Sequence, residues 1–422
     1  MATEDARYRE TSQYRLWSFS PSKLAAMRET TNAAARASIS ERLLANPPPP
    51  SAAAAISAPT SSANTPDPEN GGNSTPNPNA LPEFLTPADE LHLVSFYTSE
   101  LLRAATEVFN FPDHIKTTAA IFFKRFYVTN SIMTYPPTEM MIVALFFGCK
   151  AEGMFMDVRE FVQRFGKKNN EEILAGEFLL CQGLRFSLDV KHPFRALRGA
   201  IMKLASFDDI DRKRLDDAEQ RAREILRFAP IMTDAYFHYT PSQIMMAALS
   251  LADRGLAERL IQDTFHFVAP PETGSGADTP DPNAPVPAAP SAAKQKPGED
   301  KAAIIGSHLR DKVLGAIEAC RDILSKELPE RRDHWTNKSF IKTQISPLRK
   351  KLTKCRDPDR WNLVELQRAR REQAIKKGGS EDGDPEDRGL ADGAVFGEPL
   401  GQPLKKRKVE VKKEEDPFGG AL

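Results

Sequence analysis

The sequence predicts an all-α chain with two tandem helical domains, and three observations carry this. One stretch, Met140 to Cys149, is apolar on every side, which in a soluble chain marks a helix surrounded by other helices. A second stretch repeats the first: Tyr135, Pro137, Thr138, Glu139, Met140, Met141, Ala144 and Leu145 recur, in the same spacing, as Tyr239, Pro241, Ser242, Gln243, Ile244, Met245, Ala248 and Leu249. Finally, no segment shows the sustained alternation or the Val/Ile/Thr richness of a sheet, so essentially no strands are expected. A tandem pair of helical domains, each wrapped round one buried helix, accounts for all three better than two unrelated helices with similar start signals.

The elements follow in order. Residues 1–45 read as an N-terminal helical segment. Residues 46–80, which open with four prolines at Pro47 to Pro50, read as a disordered linker, because proline removes the helical donor and the tract lacks apolar residues to offset chain entropy. The first domain spans 81–189. In it Leu91, Val94, Leu101, Leu102 and Val108 recur at near-helical steps, and Ile115, Ala119, Phe122 and Phe126 form a second apolar stripe. The second domain spans 190–335 and is interrupted by a Pro, Ala, Gly and Asp tract over 269–299 that is expected to be disordered. In each copy of the repeat proline falls in the first helical turn, where its missing N–H costs nothing, and Thr240 with Gln243 forms a capping box. A basic helix is expected over 336–377, followed by a disordered tail over 378–422.

Composition excludes several function classes. Lysine plus arginine and aspartate plus glutamate both number 58, so no global field draws the chain toward nucleic acid or lipid, and direct nucleic-acid binding is not expected. The longest apolar run is half a membrane span, so no membrane partner is expected and the chain reads as soluble and unsecreted. Cys149, Cys181, Cys320 and Cys355 lie too far apart for a CxxC metal pattern and suit a reducing compartment. The seven histidines offer no HExxH spacing, and there is no GxSxG, P-loop or GxGxxG string. His192 and His238 read as helix-start and packing residues. No catalytic residue, metal site or cofactor is predicted, and the chain is expected to be non-enzymatic.

Two sets of residues stand out. Ile173, Leu180 and Leu184 mark the apolar stripe of one helix, and Glu177 falls on that same stripe, where a carboxylate needs a partner. The string PLKKRKV places Lys405, Lys406, Arg407 and Lys408 in the tail as a candidate nuclear import signal. From Lys338 to Lys377 there are also 13 basic against 4 acidic residues. The favoured reading is a solvated helix face packed through Leu348, Leu352 and Leu363; contact with acidic partner segments or phosphate is the alternative.

The run AAIFFKRFYVTNSI (119–132), then MMIVALFFGCKAE (140–152), then EFLLCQGLRFSLDV (177–190), resembles the first box of transcription-type members of the cyclin family. IMTDAYFHYTPSQIMMAAL (231–249) is similar to the second box. SQYRLWSFSPSKLAAMR (12–28) and LRKKLTKC (348–355) resemble the terminal helices of the cyclin H branch. The resemblance implies two five-helix boxes flanked by an N-terminal and a C-terminal helix. It also implies a regulatory subunit that binds a cyclin-dependent kinase catalytic subunit and holds the kinase C-helix so that its Lys and Glu pair around ATP. Within that branch the implied setting is a CDK-activating kinase with a RING-finger assembly subunit and other TFIIH components, acting in the nucleus on the RNA polymerase II C-terminal repeats. By motif position Lys150 and Glu177 match the residues that cyclins turn toward the kinase; a structural ion pair between the two is the competing reading.

Departures refine the resemblance. Lys124 precedes Arg125 where cell-cycle cyclins carry aspartate, and no MRAIL-like string is present, so their docking patch for Arg-x-Leu substrates is not expected. Gly153 replaces an acid that usually follows in this motif. The alternatives are a cyclin C-like Mediator kinase cyclin, the elongation cyclins K and T, an adaptor without kinase contact, and, from another class, a TFIIB-like DNA-binding initiation factor. That last would carry a zinc ribbon and a strongly basic second repeat, whereas this chain has no CxxC and a charge-mixed stretch over 191–268.

Overall fold

The computed structural model describes residues 4–45, 81–166, 170–264 and 299–378, and every regular element among them is helical. The N-terminal segment forms α1 (Glu4–Glu10), α2 (Ser12–Trp17) and α3 (Pro21–Ala45). Five helices follow: α4 (Pro87–Glu107), α5 (Asp113–Thr129), α6 (Pro137–Ala151), α7 (Val158–Arg164) and α8 (Glu171–Gly183). The second repeat holds α9 (Phe194–Leu204), α10 (Arg212–Leu226), two single-turn helices α11 (Ala229–Met232) and α12 (Ala235–His238), then α13 (Pro241–Ala252), α14 (Arg254–Thr264) and α15 (Glu299–Leu324). The expected disordered tracts, with the import signal at Lys405 to Lys408, lie almost wholly outside the described residues.

The repeat works as its sequence implies. In α6 only Met141 and Phe147 of the Met140–Cys149 run are half-buried and the other eight are buried, with α5 and α8 packed on either side. Its counterpart α13 buries Ile244, Met245, Ala247, Ala248 and Leu249 between α10 and α15. The capping box is closed at both bonds: Gln243 N–H donates to Thr240 Oγ1 at 3.3 Å and Thr240 N–H to Gln243 Oε1 at 3.0 Å. Close helix approach needs glycine at one point, since a Cβ on Gly148 of α6 would lie 2.8 Å from Ala119 Cβ and 3.1 Å from Ala119 Cα of α5.

Two expectations are corrected. Of the α4 stripe, Val108 is exposed, and the buried face runs instead through Leu93, Val94, Phe96, Tyr97, Leu101, Ala104 and Ala105. The helix ends at Glu107 with Val108 as its C-cap, so the last periodic residue lies beyond its end. The basic segment over 336–377 is not one helix: it divides into α16 (Arg332–Thr336), α17 (Lys338–Phe340), a π turn at Ile341–Ile345, α18 (Ser346–Cys355) and α19 (Leu363–Gly378). Asp357 precedes Pro358, whose ring disfavours helical backbone there, and its carboxylate accepts from Asp359 N–H at 3.0 Å and Arg360 N–H at 3.3 Å, closing a turn. Leu352 and Leu363 are buried and Leu348 is half-buried, which is the packed face that was favoured. Among the described residues, 365–378, most of α19, form a separate unit.

Buried polar ties position the elements. Lys124 of α5 donates to Ile231 O at 2.9 Å and to Thr233 O, and lies 3.6 Å from Asp234, which also takes a bidentate bond from Arg28 of α3 at 2.8 Å. The lysine at the site of departure from cell-cycle cyclins therefore joins the first repeat to the second and to the N-terminal helix. Burial pulls its ammonium down to about 8, while Arg28 and Lys124 hold Asp234 well below the usual carboxylate range despite its own burial. Next to it Arg125 is buried against the Trp17 ring at 5.4 Å. Trp17, Leu24, Val128 and Phe237 form one apolar cluster that seats the N-terminal helices on both repeats. Farther along α3, Asn32 donates to Glu90 of α4 at 2.8 Å, and Arg42 pairs with the buried Asp357.

Candidate functional site

Lys150 stands in the last turn of α6 and Glu177 in the middle of α8. The structure brings them together: Lys150 Nζ donates to Glu177 Oε1 at 2.8 Å. Ile173, Leu180 and Leu184 are buried as the stripe predicts, and the Glu177 side chain, 17% exposed, sits at the boundary between that core and solvent. Lys150 is 42% exposed and its ammonium lies 5.5 Å from the Phe146 ring. Thus the ion pair ties α6 to α8, with its lysine end open to solvent.

Exposed apolar side chains lie close to the pair in sequence, in the turn after α6 and on α8. Phe155 is 88% exposed, and Met154 and Leu174 are exposed as well. The chain leaves α6 through Gly153, whose φ of 75° lies in the left-handed region, and Met154 N–H bonds back to Cys149 O at 2.9 Å. This turn throws Phe155 outward. Leu174 lies one helical turn before Glu177 on α8, and Cys181 one turn after it; burial and then the Glu177 charge push the Cys181 thiol up. The end of α6 and one face of α8 thus expose apolar side chains beside a charged pair. Sequence reading found the ion pair but missed Met154, Phe155 and Leu174, because an apolar residue beside a core helix reads as core until the backbone turn is known. Gly153, noted only as a departure, was the available signal.

The described residues hold no cluster of His, Cys, Asp or Glu arranged for a metal, and all four cysteines are free thiols. No described helix is long and apolar enough to cross a membrane.

Comparison with known proteins bears on this arrangement. The model of the cyclin C-terminal domain matches residues 192–325. Cyclin CCL1 of Saccharomyces cerevisiae is 30% identical over 269 residues, 62% of this chain and 62% of that one, so the chain spans less than two thirds of that relative. Cyclin-H of Xenopus laevis is 30% identical over 184 residues, 40% of this chain and 54% of its own. A chain in the solved structure of the CAK complex from Chaetomium thermophilum bound to ATP-gamma-S is 59% identical, with a TM-score of 0.71, covering 91% of this chain and all of that one. A double helical repeat built around α6 and α13, the cyclin relatives, and a 59% identical chain that matches 91% of this one lead to one assignment: the chain belongs to the cyclin family and is of the cyclin H type.

Proposed function

We propose that the chain is the regulatory subunit of a CDK-activating kinase: it binds a cyclin-dependent kinase catalytic subunit and activates it within TFIIH, supporting phosphorylation of the RNA polymerase II C-terminal repeats. The observation that carries this is the Lys150–Glu177 pair, half-open to solvent at 2.8 Å, with Met154, Phe155 and Leu174 exposed close by in sequence. Such a surface can grip a helix of the kinase. The two charges would engage polar groups on that helix while Phe155 and Leu174 bury against its apolar side chains, holding it where the kinase Lys–Glu pair forms around ATP. The cyclin then acts through position and performs no chemistry itself. The 59% identical chain occurs in a CAK complex, which favours this setting over a Mediator or elongation kinase. A RING-finger assembly subunit and other TFIIH components are the further partners, and the nucleus is the site of action, with Lys405 to Lys408 as the import signal.

The test is to titrate the purified chain against the kinase catalytic subunit and follow affinity and phosphorylation of a C-terminal repeat peptide. Lys150→Ala with Glu177→Ala is expected to weaken binding by about tenfold or more, since charged interface groups removed together commonly cost over 1.4 kcal/mol. Unaltered affinity and activation would remove the site assignment.

A further inference from the structure

The end of α6 that carries Lys150 is also held from behind. Glu152, the residue after the helix, turns its side chain inward and accepts from Thr118 of α5 at 2.5 Å. Thr118 Oγ1 lies 2.8 Å from His192 Nε2, in the connection between the two repeats, and His192 Nδ1 lies 3.2 Å from the hydroxyl of Tyr236 in α12 of the second repeat. Burial favours the neutral form of His192, and with a neutral ring the donors and acceptors admit one consistent order. A carboxylate only accepts, so the Thr118 hydroxyl donates to it; Thr118 then accepts from Nε2–H, and the bare Nδ1 accepts from the Tyr236 hydroxyl. Each hydrogen has one recipient. Thr118 and Tyr236 are buried, while the His192 side chain is 11% and that of Glu152 25% exposed, so the series runs from the core to a partly open end at Glu152. The carboxylate bonds to the hydroxyl while the imidazole's other nitrogen faces a phenol, which is the wiring of a structural tie and not of a nucleophile with its base.

We infer that Tyr236, His192, Thr118 and Glu152 form a positioning chain by which the second repeat sets the place of Lys150 and of the Met154–Phe155 turn. Glu152 N–H bonds Gly148 O at 3.1 Å and Gly153 N–H bonds Lys150 O at 3.2 Å, so the residue anchored between the repeats is also the one that closes the helix. A carboxylate fixed there fixes the backbone two residues away on either side. Movement of the repeats against each other would reach the partner-binding surface through these four side chains. None of the four belongs to that surface.

The inference rests on the proposed kinase contact for its consequence, and its geometry can be tested without the kinase. Thr118→Val removes the central hydroxyl at constant shape, Thr118→Ser keeps it, and Tyr236→Phe cuts the series at the far end. In the free chain, amide hydrogen exchange over residues 150–155 is expected to quicken about tenfold in Thr118→Val and Tyr236→Phe and to return in Thr118→Ser, with α4 unchanged. With the kinase, Thr118→Val is expected to weaken binding about fivefold in the wild-type background and not at all when Lys150 is already alanine. Exchange that stays the same, or that quickens across the whole first repeat, would overturn the positioning chain. So would a loss of affinity that adds fully to that of Lys150→Ala. Local exchange effects in the variants, beside a wild-type chain that binds no kinase, would overturn the proposed function and leave the chain of bonds standing.

Discussion

Replacing Asp234 with asparagine removes the one carboxylate that faces Lys124. The lysine is 5% exposed and keeps only the carbonyls of Ile231 and Thr233, while Arg28 loses a bidentate partner. Breaking a fully buried pair on one side costs about 3–5 kcal/mol. Asp234 is a quarter exposed and the carbonyls remain, so the expected loss near neutral pH is about 3 kcal/mol. The pH dependence is the sharper signature. With a folded value of about 8 against an ordinary 10.5, Lys124 binds fewer protons in the folded chain than in the unfolded one between those limits, so stability rises with pH across them. Above about pH 8 the buried lysine is neutral in both proteins, and the deficit should shrink to the Arg28 contribution, about 1 kcal/mol. Urea unfolding of the two proteins at about pH 6.5 and about pH 9 reads both numbers. A deficit below about 1 kcal/mol at the lower pH, or one that fails to shrink at the higher, would refute the account of Lys124 as a buried cation held by Asp234.

Two further outcomes follow from packing and exposure. Gly148→Ala should cost about 1–3 kcal/mol in urea unfolding, because its Cβ would meet the Ala119 backbone 3.1 Å away and α5 must move off α6; an effect within experimental error would mean that the helices have room to slide. Maleimide labelling of the native chain, read by mass spectrometry, should reach Cys181 first, since Cys149, Cys320 and Cys355 are buried and burial pushes the first two up to about 12. Equal labelling of Cys320 would contradict the packing of α15.

Much of this was legible in the sequence, and the limits have physical causes. The all-apolar run at Met140–Cys149 and its repeat at Ile244 announced two buried helices because each follows a proline suited to a first helical turn and the run is long for a buried strand. Glu177 was visible because a carboxylate on an apolar stripe demands a partner, and Lys150 is that partner. Phe155 was not visible: its exposure depends on the left-handed turn at Gly153, a backbone property that residue type only permits. The tie between Lys124 and Asp234, 110 positions apart, was equally hidden, since the sequence shows a lysine out of place but not the carbonyls and carboxylate that receive it. The break at Asp357–Pro358 could have been read locally, as the residue before proline disfavours helix.

The pairing of Arg42 with Asp357 sets a timetable for the chain as it is made. Their separation is 315 residues, so at roughly 5–20 residues per second the helix carrying Arg42 waits about 16–60 s on the ribosome before its partner has been synthesised. During that interval α3 can already find Phe84 through Arg36 and Glu90 through Asn32, and later Asp234 through Arg28, so the Arg42 bond closes last of these and ties an N-terminal helix to a late-made segment of the fold.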